Sequence, residues 1–215
     1  PDQPLERQQV VLTVPASFDE VARELSVEAA KVAGLTRIAL LEEPQAAFYS
    51  WILNQGDDWD QALGAGQRVL VCDIGGSSME LAEISGGRVG RRVTSQLGPL
   101  KLREMKGGAK APNAHIKEIM QGLKETMGAQ RDRLFLVGGS WRAIARIDMV
   151  RRGYPLHVLH EYRMTPRAVS ATVKFIKNTD LEELRAISGV SSSRMALVPF
   201  AAEVLSRLVK TFKPK

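Results

Sequence analysis

Residues 69–84 read VLVCDIGGSSMELAEI: a nearly unbroken apolar run, a turn of two glycines and two serines, and then an alternation of apolar and polar residues. The run is the pattern of a strand buried on both faces, and the alternation is that of a strand with one wetter face, so the segment predicts a β-hairpin closed by a tight turn. Asp73 falls at the end of the first strand. Gly75 and Gly76 lack a Cβ and can adopt positive φ, so their backbone N–H groups can approach an anion while Ser77 and Ser78 add hydroxyl donors. A carboxylate beside bound phosphate serves the accompanying magnesium through water, which nominates Asp73 as the metal residue. An ordinary hairpin turn has the same local pattern, and the turn alone does not separate the two readings.

The rest of the chain sets the class. With 215 residues, 44% of them hydrophobic and 25% charged, it can form one large or two small globular domains. No apolar run is long enough for a membrane span, and the opening PDQPLERQQ lacks the apolar centre of a signal peptide, so no membrane partner and a cytoplasmic location are expected. The single cysteine, Cys72, excludes an internal disulfide and reads as a small core residue. A net charge of +6 favours polyanionic ligands. Lys and Arg are nevertheless spread along the chain, with Arg91-Arg92 and Arg151-Arg152 the tight pairs, and aromatics make up 6% without a stacking pattern around them. That distribution argues against a nucleic-acid partner.

From the start, residues 9–14 form a strand ended by Pro15. Ser17 and Glu20 have the spacing of a capping box, and Phe18, Val21, Ala22, Leu25, Ala29 and Val32 follow the spacing of a buried helical stripe, stopped by Gly34. Residues 37–41 are the next strand, and Pro44 suits the first turn of a helix through Ala47, Tyr49 and Ile52. Strand, helix, strand, helix implies parallel pairing. Residues 56–67, acidic and then glycine-rich, read as a linker. After the hairpin comes a third strand over 88–95, an antiparallel meander. A loop through Gly107, Gly108 and Pro112 leads to a helix over 115–127, a strand over 134–137, a Gly138-Gly139 turn and a helix over 141–151. Helices over 166–177, 181–187 and 193–212 follow, the last carrying Pro199 in its first turns or at a kink. The fold class is α/β, divided as 1–55, linker 56–67, 68–155, and a helical segment 156–215.

Two related families share these motifs. Over about 9–84, VVLTVPASFDEVARELSVEAAKVAGL, LLEEPQAAFYSW and VLVCDIGGSSMEL resemble the ATPase domain of the seventy-kilodalton heat-shock chaperones. Over about 68–215, DIGGSSMEL, RRVTSQLGPLKL, FLVGGSWRAIARIDM, YPLHVLHEYRM and LRAISGVSSSRMALVPFAAEVL resemble the exopolyphosphatase and guanosine pentaphosphate phosphohydrolase family. Both belong to the actin, sugar kinase and heat-shock ATPase superfamily. The resemblance therefore implies a ribonuclease-H-like, actin-like ATPase second lobe, the βαβα part of a first lobe and a C-terminal helical segment. The shared DIGG hairpin is a plausible fusion point, so the pattern reads as a chimera or reconstruction.

Carried over by residue, the resemblance assigns Asp73, Gly75, Gly76, Ser77 and Ser78 to a phosphate loop with its magnesium shell. It places Gly138, Gly139 and Ser140 against the adenosine of ATP or ADP, although a plain strand-to-helix turn would also read so. It makes Glu43 the candidate for orienting attacking water; a helix-start acid that complements the macrodipole is the plainer reading. Both families begin with a first phosphate hairpin that nothing before Gln9 supplies. Weak or no hydrolysis is therefore expected, with a homodimer to complete the clamp. An exopolyphosphatase-like phosphoanhydride hydrolase and an inactive engineered scaffold are the alternatives. Gly107 to Lys110 misses P-loop spacing. His157 and His160 lack the further ligands of a zinc site. Arg194-Met195-Ala196 has no acid where the phosphatase family carries one. Met195, Val198, Ala202, Leu205 and Val209 read as a packing stripe, and Trp51 and Trp141 as core or interface anchors.

Overall fold

Internal contacts divide the chain into two units, Pro1–Leu63 and Gly64–Lys215. The computed structural model describes residues 4–15, 18–55, 66–85, 88–108, 110–159 and 162–215.

In the first unit a short 3-10 turn, Leu5–Arg7, precedes β1 (Val10–Val14), α1 (Glu20–Val32), β2 (Ile38–Glu42) and α2 (Glu43–Gln55). The strands are parallel, registered from Val10 opposite Ile38 to Val14 opposite Glu42, with α1 as the crossover that parallel neighbours require. Asp19 caps α1, its carboxylate accepting the Ala22 N–H at 2.9 Å. The helix thus starts two residues later than the expected Ser17 cap, which lies outside the described residues. An aspartate caps as well as a serine and adds negative charge at the positive end of the dipole.

The expected α1 stripe is not buried. Val21, Leu25 and Val32 are 63%, 59% and 86% exposed. The half-covered face instead carries Ala22, Arg23, Ser26, Val27 and Ala30. Arg23 reaches the Glu42 carboxylate at 3.5 Å, and Ser26 Oγ donates to the Ala22 carbonyl at 2.8 Å. Periodicity identified an apolar face, but the half-covered face is rotated away from it and shares only Ala22 with it. In α2, Phe48 and Trp51 are buried and stacked with centroids 5.9 Å apart.

The second unit is built on a sheet of order β5-β4-β3-β6, from β3 (Arg68–Ile74), β4 (Met79–Ser85), β5 (Arg88–Ser95) and β6 (Arg133–Val137). The β3–β4 and β4–β5 pairs are antiparallel, and β3–β6 is parallel. Every residue of β3 after Arg68 is buried, as the apolar run predicted. Around the sheet lie α3 (Pro99–Glu104), α4 (Lys110–Met127), α5 (Gly139–Arg151), α6 (Pro166–Asn178), α7 (Leu181–Ser188), α8 (Ser192–Met195) and α9 (Val198–Phe212).

Three of the differences from the sequence reading fall at prolines. The helix α3 stands where a loop was expected, with Pro99 at its first position. α4 begins before His115 because Pro112 occupies its first turn, where no N–H is needed. The expected helix over 193–212 is broken into α8 and α9, with Pro199 in the first turn of the latter. The stripe itself holds: Met195, Val198, Ala202 and Leu205 are buried, and Val209 packs against the core. They join Leu70, Cys72, Leu81, Ile116, Leu123 and Ile144 in one apolar cluster. Truncating a buried leucine such as Leu205 to alanine costs about 2–5 kcal/mol. Among the described residues, no helix is long and apolar enough to cross a membrane.

Candidate functional site

The turn between β3 and β4 is closed by the Gly75 N–H, which donates to the Ser78 carbonyl at 3.0 Å. The Gly76 carbonyl accepts the Leu100 N–H at 2.7 Å. Among the described residues, the amides of Gly76, Ser77 and Ser78 have no protein acceptor. Three of the five nominated groups therefore remain available as donors, while the Gly75 amide is occupied. The conformational expectation for the glycines is overturned: neither Gly75 nor Gly76 has a positive φ. A Cβ at Gly75 would meet nothing closer than 3.7 Å, and one at Gly76 nothing closer than 3.9 Å. The fold tolerates a side chain at both places, so their bareness leaves room for something outside the chain.

Geometry demands glycine at the second turn. Gly138 has φ 109° and ψ 167°, and a Cβ there would stand 2.8 Å from Asp73 Oδ1 and 2.9 Å from the Ile74 carbonyl oxygen. The end of β3 and the start of α5 are thus pressed back to back. No side chain caps α5, and Ser140 is only 8% exposed in its first turn. Trp141 Nε1 donates to the Cys72 carbonyl at 3.1 Å and fixes that turn to β3. Asp73 and Gly138 to Ser140, nominated from separate parts of the sequence, form one assembly at the positive end of the α5 dipole.

Three further residues join it. Glu80 is the cross-strand partner of Asp73, on the same face of the sheet, and the two are 5% and 7% exposed. Burial, then the negative charges of Asp73 and Glu80, push the Cys72 thiol well above its ordinary range and make it inert. Arg194 of α8 lies against Gly139, where a Cβ would meet its Nε at 3.1 Å and Nη2 at 3.3 Å. Among the described residues this guanidinium has no acceptor or acidic partner. Gly98 backs the first turn, its own Cα facing the backbone of Ser77 and Ser78. Glu80 could have been found by counting across the hairpin. Arg194 lies too far along the chain for any local signal.

Hard oxygen donors in a pair, with phosphate and water completing the shell, suit magnesium. The donor set therefore fits that ion. Among the described residues, no group of three or more His, Cys, Asp or Glu side chains is placed to hold a metal. His157 is exposed, and His160 lies outside the described residues.

The far end of α5 is held as firmly as its start. Asp148 is fully buried and accepts Thr172 Oγ1 at 2.6 Å, the Tyr162 hydroxyl at 2.6 Å and Arg151 Nη2 at 2.8 Å. Burial drives its carboxyl up, but those bonds and the Arg151 charge outweigh burial and hold it below the ordinary value. Burial and the Asp148 bond push the Tyr162 hydroxyl up to about 12. Glu43 belongs to the first unit, half-buried at the first position of α2.

The family model described as the Ppx/GppA phosphatase family matches residues 60–215, and that of the Hsp70 protein matches residues 4–100. The chaperone protein DnaK of Elusimicrobium minutum is 30% identical over 127 residues, 59% of this chain and 18% of that protein. DnaK of Endomicrobium trichonymphae is 32% identical over 119 residues, 55% of this chain and 17% of its own. The chain thus spans under a fifth of these curated relatives. Among solved structures, the type II variant of the Aquifex aeolicus Ppx/GppA phosphatase superposes with a TM-score of 0.66 at 16% identity, covering 95% of this chain and 68% of that one. An exopolyphosphatase from Cytophaga hutchinsonii gives 0.65 at 14% identity, covering 88% and 63%. The fold is that of these Ppx/GppA and exopolyphosphatase structures, α/β with a helical C-terminal part.

Proposed function

The chain belongs to the Ppx/GppA phosphatase family, and on that footing we propose that its second unit is a magnesium-dependent site for phosphoanhydrides, either ATP and ADP or polyphosphate. The observation that carries the reading is that the amides of Gly76, Ser77 and Ser78, in the turn that follows Asp73, have no protein acceptor among the described residues. The uncapped start of α5 and Arg194, which has no acidic partner among the described residues, support a second anionic contact a short distance away, which suits a ligand with more than one phosphate. Asp73 and Glu80 would hold magnesium, which neutralises phosphate charge when bound. Gly138 to Ser140 would lie against the remainder of the ligand.

Calorimetric titration of ADP, ATP and tripolyphosphate with magnesium tests this on the wild type and on Gly76→Val. A Cβ at 76 has room within the protein, so the variant should fold and lose heat of binding. Equal heats from both proteins would remove the site.

Hydrolysis is proposed to be weak, with Glu43 orienting water. Phosphate release unchanged in Glu43→Gln would exclude that role. A homodimer is proposed through the first unit, where the apolar face of Val21, Leu25 and Val32 is exposed and a second copy would cover it. Sedimentation across a concentration series should show dimer for the wild type and monomer for Leu25→Glu. Overlap of the two family models over residues 60–100, around the shared hairpin, supports reading the chain as a chimera of related parts.

A further inference from the structure

Gly98 is the most tightly enclosed glycine among the described residues: a Cβ there would stand 2.2 Å from the Ser77 carbonyl carbon, 2.4 Å from the Ser78 nitrogen and 2.5 Å from the Gly76 oxygen. Its backbone, φ −64° and ψ 136°, is open to any residue, so space alone demands glycine. All three neighbours are main-chain atoms, which have no flexible end to swing aside.

We propose that the turn Gly98–Leu100 is the positioning element of the 76–78 loop, fixing the direction of its amides for a phosphate. This rests on the phosphate-binding reading of that loop. The Gly76 carbonyl and the Ser77 N–H belong to one planar trans peptide and point in opposite directions. Holding the carbonyl with the Leu100 N–H at 2.7 Å therefore aims the Ser77 N–H away from α3. Rotation of that peptide would present an oxygen to the anion and withdraw a donor. The turn is itself anchored: Leu97 and Leu102 are fully buried, Pro99 is buried, and the Leu102 N–H donates to the Gly98 carbonyl at 3.0 Å. The loop follows the turn, since the turn is fastened to the core and the loop is exposed. Donors held in place before a ligand arrives bind it better than donors that must first be ordered.

The test compares magnesium pyrophosphate affinity in the wild type, Gly98→Ala and Gly122→Ala, at a temperature where circular dichroism shows all three folded. Gly122 has open space around it and serves as the control. The expected result is at least a tenfold weaker affinity for Gly98→Ala alone. A merely structural role would lower the melting temperature and leave the affinity of the folded protein unchanged. A second measurement needs no variant: in the wild type, exchange of the Leu100 amide should slow when pyrophosphate shifts the Gly76 to Ser78 amide resonances. Wild-type affinity in folded Gly98→Ala, or shifted loop resonances with unaltered Leu100 exchange, would overturn the positioning role and leave the phosphate site standing. Absence of any pyrophosphate binding by the wild type would overturn the phosphate reading, and the positioning role with it.

Discussion

A Cβ on Gly138 would stand 2.8 Å from Asp73 Oδ1. That proximity joins the end of β3 to the start of α5 and converts two separate glycine turns into one place. It also makes Gly138 a residue with no substitute, since both its positive φ and the carboxylate exclude a side chain.

Gly138→Ala should therefore destabilise the protein by about 1–3 kcal/mol from backbone strain alone, with more from the displaced Asp73. Gly76→Ala should change stability by less than about 0.5 kcal/mol. Urea unfolding of the two variants measures the contrast, and equal losses would contradict the assigned geometry.

Arg194→Ala removes an exposed guanidinium that has no protein acceptor among the described residues. Its melting temperature should match the wild type, while affinity for tripolyphosphate falls about tenfold, or about 1.4 kcal/mol. Arg194→Lys should restore part of the loss, because charge returns without the planar fork.

Glu80→Gln relieves the like-charge pair with Asp73. The rise in melting temperature that magnesium with pyrophosphate gives the wild type should shrink in this variant. Calcium or magnesium without phosphate should produce little shift in either protein, since one or two carboxylates alone bind these ions weakly. An undiminished magnesium-dependent shift in Glu80→Gln would exclude it from the ion's shell.

The Asp148 carboxyl titrates below its ordinary value in the folded state. Its contribution to stability is therefore complete above the unfolded-state pKa of about 4 and is lost as pH falls through the lower folded value. Glu203, driven up by burial but held down on balance by Lys177 and Arg207, adds to the same acid limb. Asp148→Asn should lower stability at pH 7 and flatten the decline below pH of about 4. Tyr162→Phe should cost about 1 kcal/mol through the lost hydrogen bond. Denaturation profiles from pH 2 to pH 7 would show both effects.

The hairpin and its turn were legible because a buried strand leaves an apolar run and a turn leaves glycine, both local signals. The α9 stripe was legible for the same reason, through its helical spacing. The α1 face was not: Val21, Leu25 and Val32 were expected inside, whereas of that stripe Ala22 lies on the half-covered side, with Arg23, Ser26, Val27 and Ala30. Gly75, Gly76 and Gly138 all drew attention as glycines in motifs, yet only Gly138 of the three is crowded, and Gly98, which drew none, is the most crowded among the described residues. Crowding at a glycine depends on what other segments bring to it, and sequence spacing carries no record of that.

The amino-acid order by itself determined the α/β class, the meander around β3, and the acid-glycine-serine turn, because each follows from periodicity or from the special conformations of glycine and proline. Tertiary structure alone decided that Gly138 stands against Asp73, that Arg194 crosses the start of α5, and that Leu100 holds Gly76. Those relationships join residues distant along the chain. They are set by packing in space, which local sequence patterns do not encode.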